Sequence, residues 1–246
     1  MNRLGKLGVV GFVVIVLAGA PQATAQTETD ANVVTGLDFS HSVTLEEHRL
    51  VKDGLAQALR SPEFLHAVQA GRHGRIGFAL FGWHTAIIPL LPWTPIGSAD
   101  DAGRVADRLR DAIMEQVVAE AVLRRIEGRF GRPTDLSLAL WSASVMLQGA
   151  PFRSTRSVIN IVGNGADNVN EGARTARDAA LGQGFTVNGV VFGDEPDLVG
   201  YFRRNVAGGP GSFVVRVPEA ADMAAVLTRK LLDDIVVGLE ETQPDR

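Results

Sequence analysis

Six short apolar runs, most of them separated by helical patterns, restrict this chain to an architecture built on a central sheet. The runs cover residues 32–38, 75–83, 86–93, 156–162, 185–192 and 212–217. Helical patterns fill most intervals, at 44–60, 61–70, 100–130, 136–147, 171–181 and 196–206, and a last one closes the chain at 219–240. Short apolar strands joined through helices make a mostly parallel sheet, because a parallel crossover needs a long connection and buries both sheet faces. Only 75–83 and 86–93 lack a helix between them, which predicts an antiparallel hairpin. Pro89 and Pro92 place its second strand at the sheet edge, where a missing N–H costs no ladder bond. The expected fold is therefore α/β: a doubly wound, mostly parallel six-stranded sheet with one antiparallel edge strand and helices on both faces. The 136–147 helix is apolar nearly all round, so Trp141 and Val145 are predicted to be deeply buried. Trp93, at the end of the edge strand, is the tryptophan best placed to be exposed.

The start of the chain reads differently. Arg3 and Lys6 precede an apolar run from Leu7 to Ala20, and Ala23-Thr24-Ala25 is a small-x-small cleavage signal. This pattern predicts a secretory signal peptide over 1–25, a single folded domain over 26–240 and a polar tail over 241–246. No later stretch is long and apolar enough to span a membrane. The expected location is periplasmic or secreted. Loss of Arg3 and Lys6 takes the formal charge from -4 to -6, with no basic patch, which argues against nucleic acid as a partner. The chain has no cysteine, so disulfides and thiolate metal sites are excluded. Residues 26–31 are polar and predicted to be loose.

The chemistry concentrates where the first strand gives out. Val33 to Leu37 is followed by Asp38, Ser40 and Ser42, three oxygen donors spaced two apart. Thr44 and Glu47 then form a capping box that opens a helix. In a doubly wound sheet, ligands bind beyond the carboxyl ends of the strands. Two further polar loops could converge there, one with Thr134 and Asp135, the other with Asn164, Asp167 and Asn168. Each precedes a helix. All these donors are hard oxygens, which suit Mg²⁺, Mn²⁺ or Ca²⁺.

Asp38-Phe39-Ser40-His41-Ser42 resembles the D-x-S-x-S motif of von Willebrand factor A domains. The strand spacing, the edge hairpin and the late Gly-Gly-Pro-Gly-Ser-Phe also resemble a bacterial group of exported A-domain proteins of unknown function. The resemblance implies a metal ion-dependent adhesion site formed by Asp38, Ser40 and Ser42, with Thr134 as the later threonine and Asn164 where the family carries an aspartate. Two departures follow from it. Asn164 can still ligate but contributes no charge, and His41 replaces a small residue and is expected to crowd the ion. Asp38 is then the single formal charge among the ligands, so a weakly bound Mg²⁺ (or Mn²⁺ or Ca²⁺) is expected, in the ~10⁻⁴–10⁻³ M range of weak extracellular sites. Asp135 or Asp167 could add charge through water.

The reading that follows is a non-enzymatic protein-binding module whose cation accepts a carboxylate from a protein partner. The alternatives are a metal-independent scaffold with a vestigial site, and a hydrolase using Ser40 or Ser42. The chain has no G-x-S-x-G elbow to support the last. His48, His66, His73 and His84 have no ligand spacing and are expected to be solvated or structural.

Overall fold

The structure, a computed structural model, describes residues 26–127, 133–169, 172–219 and 222–240. The expected signal peptide (1–25) and polar tail (241–246) lie outside the described residues. In chain order the elements are β1 (Thr27–Glu28), β2 (Asn32–Asp38), α1 (Leu45–Arg60), α2 (Pro62–Ala70), β3 (Ile76–Trp83), β4 (Ile87–Ile96) and α3 (Ala99–Glu127). They continue with α4 (Leu136–Gln148), β5 (Phe152–Arg153), β6 (Ser157–Gly163), α5 (Ala173–Leu181), β7 (Thr186–Val191), α6 (Leu198–Asn205), β8 (Val214–Arg216) and α7 (Met223–Glu240).

The main sheet has six strands in the order β4-β3-β2-β6-β7-β8. Every pair is parallel except β3 with β4, which is antiparallel and broken by register shifts near Leu80. β4 runs on to Ile96, past its predicted end, with Pro89, Pro92 and Pro95 on the edge where they cost no ladder bond. Side-chain alternation sends successive residues to opposite faces. Val33, Leu37, Phe78, Leu80, Val158, Val162 and Val190 pack under α1, α2, α3 and α7. Val34, Ala79, Phe81, Ile159, Ile161, Val187 and Val191 pack under α4, α5 and α6.

Helix boundaries follow local chemistry. Thr44 caps α1: its hydroxyl accepts the Glu47 N–H at 3.2 Å, and the Glu47 carboxylate accepts the Thr44 N–H at 2.7 Å. Ser61 caps α2, its hydroxyl accepting the Phe64 N–H at 3.1 Å, with Pro62 at the first position, where its missing N–H is harmless. On the sheet, Gly36 makes room for the tip of the Phe81 ring, since a Cβ there would sit 2.6 Å from Phe81 Cζ. Gly36→Ala is therefore expected to lose about 1–3 kcal/mol. The check is a lower urea midpoint at unchanged m-value.

Three expectations are corrected. Residues 26–31 are not loose: Thr27–Glu28 pairs in parallel with Phe152–Arg153 in a separate two-stranded sheet. Trp141 and Val145 are 46% and 64% exposed, because α4 buries the face of Leu136, Ser137, Ala139, Leu140, Ala143, Ser144 and Leu147 instead. Trp93 is half-buried, with its indole N–H donating to the Met146 carbonyl at 3.1 Å and its ring edge-on to Phe152.

A candidate cation cradle at the switch point

The chain leaves β2 in one direction towards β3 and β4, and later builds β6, β7 and β8 on the other side. The loops after β2 and β6 therefore part at the sheet's carboxyl edge and leave a crevice there. Asp38 is the last residue of β2 and Gly163 the last of β6. Gly163 has to be small: a Cβ there would lie 3.1 Å from Asp38 Oδ2 and 3.4 Å from the Trp83 ring.

Asp38 is 3% exposed. Its Oδ1 accepts the Ser40 N–H at 2.7 Å, which folds the turn back over the carboxylate. Its Oδ2 is buried and accepts no hydrogen bond. Burial pushes the Asp38 carboxyl up to about 6, against the pull of Ser40 and of the Asn164 backbone N–H, which faces the carboxylate but stops short of hydrogen-bond geometry, and with a smaller upward push from Glu47. A buried acceptor without a donor costs about 1–3 kcal/mol, so such atoms call for a reason.

Beside it the hydroxyls form a chain. Ser40 Oγ lies 3.0 Å from Ser42 Oγ, and Ser42 Oγ donates to Asn164 Oδ1 at 2.8 Å. Thr134 comes in from the loop before α4. Its N–H donates to Asn168 Oδ1 at 2.8 Å and its carbonyl accepts the Asn168 N–H at 3.1 Å, which locks that loop to the one after β6. Gly165 opens the centre: a Cβ there would lie 3.4 Å from Thr134 Oγ1 and 3.9 Å from Ser42 Oγ. The structure thus brings Asp38, Ser40, Ser42, Thr134 and Asn164 to one crevice. The donor set is all hard oxygen, and one of its carboxylate oxygens is buried without a donor. This chemistry fits a divalent cation of the Mg²⁺, Mn²⁺ or Ca²⁺ type.

Other sequence candidates are placed elsewhere. Asp135 is committed to α4, with its Oδ1 accepting both the Leu138 N–H (2.9 Å) and the Ser137 hydroxyl (2.8 Å). Asp167 turns its Oδ1 to the Val169 N–H at 3.2 Å. His41 is exposed. His48 and His84 are buried below the turn, His48 stacked on Phe39 at 4.4 Å and His84 Nε2 4.0 Å from Glu120 Oε1. His84 Nδ1 accepts the Thr85 N–H at 2.7 Å, so the ring is oriented from its own loop. Sequence reasoning missed Glu195, in the loop after β7. Its Oε2 lies 3.6 Å from the same point above Gly165 and accepts the Ala166 N–H at 3.1 Å. The rule that drew attention to Asp38, acids beyond the carboxyl end of a strand, applies equally to Glu195.

The structure resembles proximal thread matrix protein 1 of the mussel byssus, described with a zinc-occupied MIDAS motif, at a TM-score of 0.60 and 15% identity over 86% of this chain and 49% of that one. It also resembles a von Willebrand factor type A from Catenulispora acidiphila (TM-score 0.56, 13% identity, 85% of this chain and 43% of that one). A third match is the vWF domain of the type V pili tip protein Mfa5 from Porphyromonas gingivalis (TM-score 0.56, 9% identity, 89% and 99%). The chain spans about half the length of the mussel protein. The fold is a von Willebrand A-like one. No curated protein matches the sequence. The chain belongs to the family described as "Protein of unknown function (DUF1194)", which matches residues 28–238.

Proposed function

We propose that this chain is an exported protein-binding module whose carboxyl-edge cradle holds a divalent cation. Asp38, Ser40, Ser42, Thr134 and Asn164 would hold it. The observation that carries the reading is the buried Asp38 Oδ2 without a donor, set beside a cluster of hydroxyl oxygens at the switch point. When bound, the cation neutralises this carboxylate and attracts a second one, so an acidic side chain of a protein partner can approach. Few charged ligands surround it, which leaves it under-neutralised and prone to seek an anionic oxygen. The zinc-occupied motif of the mussel protein supports a divalent ion in this type of fold. The apolar run and cleavage signal before residue 26 support export.

Titration calorimetry with Mg²⁺, Mn²⁺ and Ca²⁺ chlorides is expected to show millimolar-range binding to the wild type and none to Asp38→Ala, with both proteins folded by circular dichroism. Absence of heat and of any thermal shift at several millimolar in the wild type would sink the reading. It would leave the metal-independent scaffold, which the Asn164 amide in place of an acid favours. Nothing at the turn supports hydrolysis, since Ser42 donates to an amide oxygen rather than to a histidine.

A further inference from the structure

Asp38 is the only anionic residue among the five candidate ligands, and a divalent cation there would carry an uncompensated positive charge. One point, the position a side chain would take on Gly165, lies 3.4 Å from Thr134 Oγ1, 3.9 Å from Ser42 Oγ and 3.6 Å from Glu195 Oε2. Three loops thus deliver three oxygens around one opening, and only the third is an acid.

The Glu195 loop is fixed at both ends. Arg216 donates to the Gly193 carbonyl, and Arg204 bonds Asp197 at 2.7 Å. Gly193 takes a positive φ of 78° and Asp197 one of 54°, and Gly193 lies against Asn164, where a Cβ on it would come within 3.3 Å of the Asn164 Cβ. Glu195 is otherwise exposed, and its Oε2 is aimed by the Ala166 N–H at 3.1 Å. Among the described residues, nothing donates to its Oε1. Glu47, the other nearby acid, is already committed: its Oε2 accepts the Thr44 N–H at 2.7 Å and the Thr44 hydroxyl at 2.8 Å. The independent sign that this opening takes a cation is Asp38, 3% exposed, with its Oδ2 buried and without a donor.

We propose that Glu195 is a further anionic ligand of the cation cradle and supplies the negative charge that Asn164 does not. The inference rests on the reading that the cradle binds a divalent cation. Its consequence is a site closed by carboxylates from two strand ends, Asp38 after β2 and Glu195 after β7, with the hydroxyls between them.

The test is calorimetric titration of Mn²⁺ into wild type, Glu195→Gln, Asn164→Asp and the double variant. Glutamine keeps an oxygen for the Ala166 N–H and removes only the charge, so the metal-free melting temperature should not change. Glu195→Gln is expected to weaken Mn²⁺ binding by about tenfold or more, given the strength of a unit charge acting on a divalent ion at short range. Asn164→Asp is expected to tighten it, and the double variant to return to near the wild-type affinity. If the wild type binds Mn²⁺ and Glu195→Gln binds it equally well, this inference is overturned while the cation reading stands. If neither the wild type nor Asn164→Asp binds Mn²⁺, both fall together.

Discussion

Asp38→Asn is expected to stabilise the cation-free protein at neutral pH and to abolish its response to divalent ions. The sign follows from linkage. Burial raises the Asp38 carboxyl from 3.8 to about 6, so the folded chain holds this proton more tightly than the unfolded chain does. The associated stability is fully present below pH 3.8 and is lost as the pH rises towards about 6. Above that, the ionised carboxylate burdens the fold by about 3 kcal/mol. Glu47 adds to the burden, and Ser40 and the Asn164 backbone oppose it. Asparagine removes the charge and keeps an oxygen for the Ser40 N–H. Its new N–H donors are buried where Oδ2 now lies, which takes back about 1–3 kcal/mol. A net gain of up to about 2 kcal/mol at pH 7.5 remains, or up to several degrees in Tm for a domain of this size. The measurement is the difference in Tm between variant and wild type from pH 4 to 8, which cancels the other carboxylates. The difference should grow with pH across the window from 3.8 to about 6. Millimolar Mg²⁺ or Mn²⁺ should then raise the wild type and leave Asp38→Asn unmoved. A pH-independent difference would show that Asp38 carries no such burden. If the prediction holds, the turn is kept at a cost to stability, as binding sites often are.

The turn and its fold were legible in the sequence for a physical reason. Asp38, Ser40 and Ser42 directly follow an apolar strand and directly precede the Thr44–Glu47 capping box, so strand end, donors and helix start are marked within a dozen residues. Alternation of apolar runs and helices was enough to give the sheet class, and the prolines of β4 identified the edge. What stayed hidden depends on contacts distant in sequence. The β1–β5 pair is two residues long and joins positions over a hundred apart. Trp141 and Val145 belong to a helix whose apolar residues surround it, and periodicity cannot tell which side meets the sheet. Glu195 was missed, because nothing local says that the loop after β7 bends back to Ala166. Thr35, Asn160 and Asn188 lie in three separate strands. Register makes them one group: Thr35 is opposite Asn160, and Asn160 opposite Asn188.

That ladder sets up the largest expected loss of stability, Asp234→Ala. The three side chains point to the face covered by α7, and Asp234 on α7 meets them with no solvent exposure at all. Asn160 Nδ2 donates to Asp234 Oδ2 at 2.9 Å and Asn188 Nδ2 to Oδ1 at 3.0 Å. Lys230, one helical turn earlier and 3% exposed, pairs with the same carboxylate. Arg156 Nε reaches the Asp234 carbonyl at 2.8 Å, and Asn188 Oδ1 accepts the Phe213 N–H at 3.0 Å, so the group ties α7 to four stretches of chain. Burial pushes the Lys230 ammonium below its ordinary value, while Asp234 and Asp233 pull it back and Arg156 pushes it further down. Removing Asp234 strands a buried ammonium and two amide groups together, for which a loss of about 3–5 kcal/mol is expected. Lys230→Met should cost less, about 2 kcal/mol, because the two asparagine amides still donate hydrogen bonds to the carboxylate. Lys230→Met with Asp234→Asn should cost less than Asp234→Ala alone, since no charge is then buried and an amide oxygen still accepts from Asn160 or Asn188. Urea denaturation of these proteins and of the single Asp234→Asn measures this, and strong non-additivity between Lys230→Met and Asp234→Asn is the signature of a shared network. A loss below about 1 kcal/mol for Asp234→Ala would mean that water or relaxation replaces the carboxylate. The network sits at mid-strand, whereas the cradle lies at the carboxyl edge, so Asp234→Ala below its melting temperature should bind Mn²⁺ as the wild type does. Stability and cation binding are thus expected to be separable in this fold: Asp38 at the edge should weaken the cation-free protein, and Asp234 on α7 should hold it together.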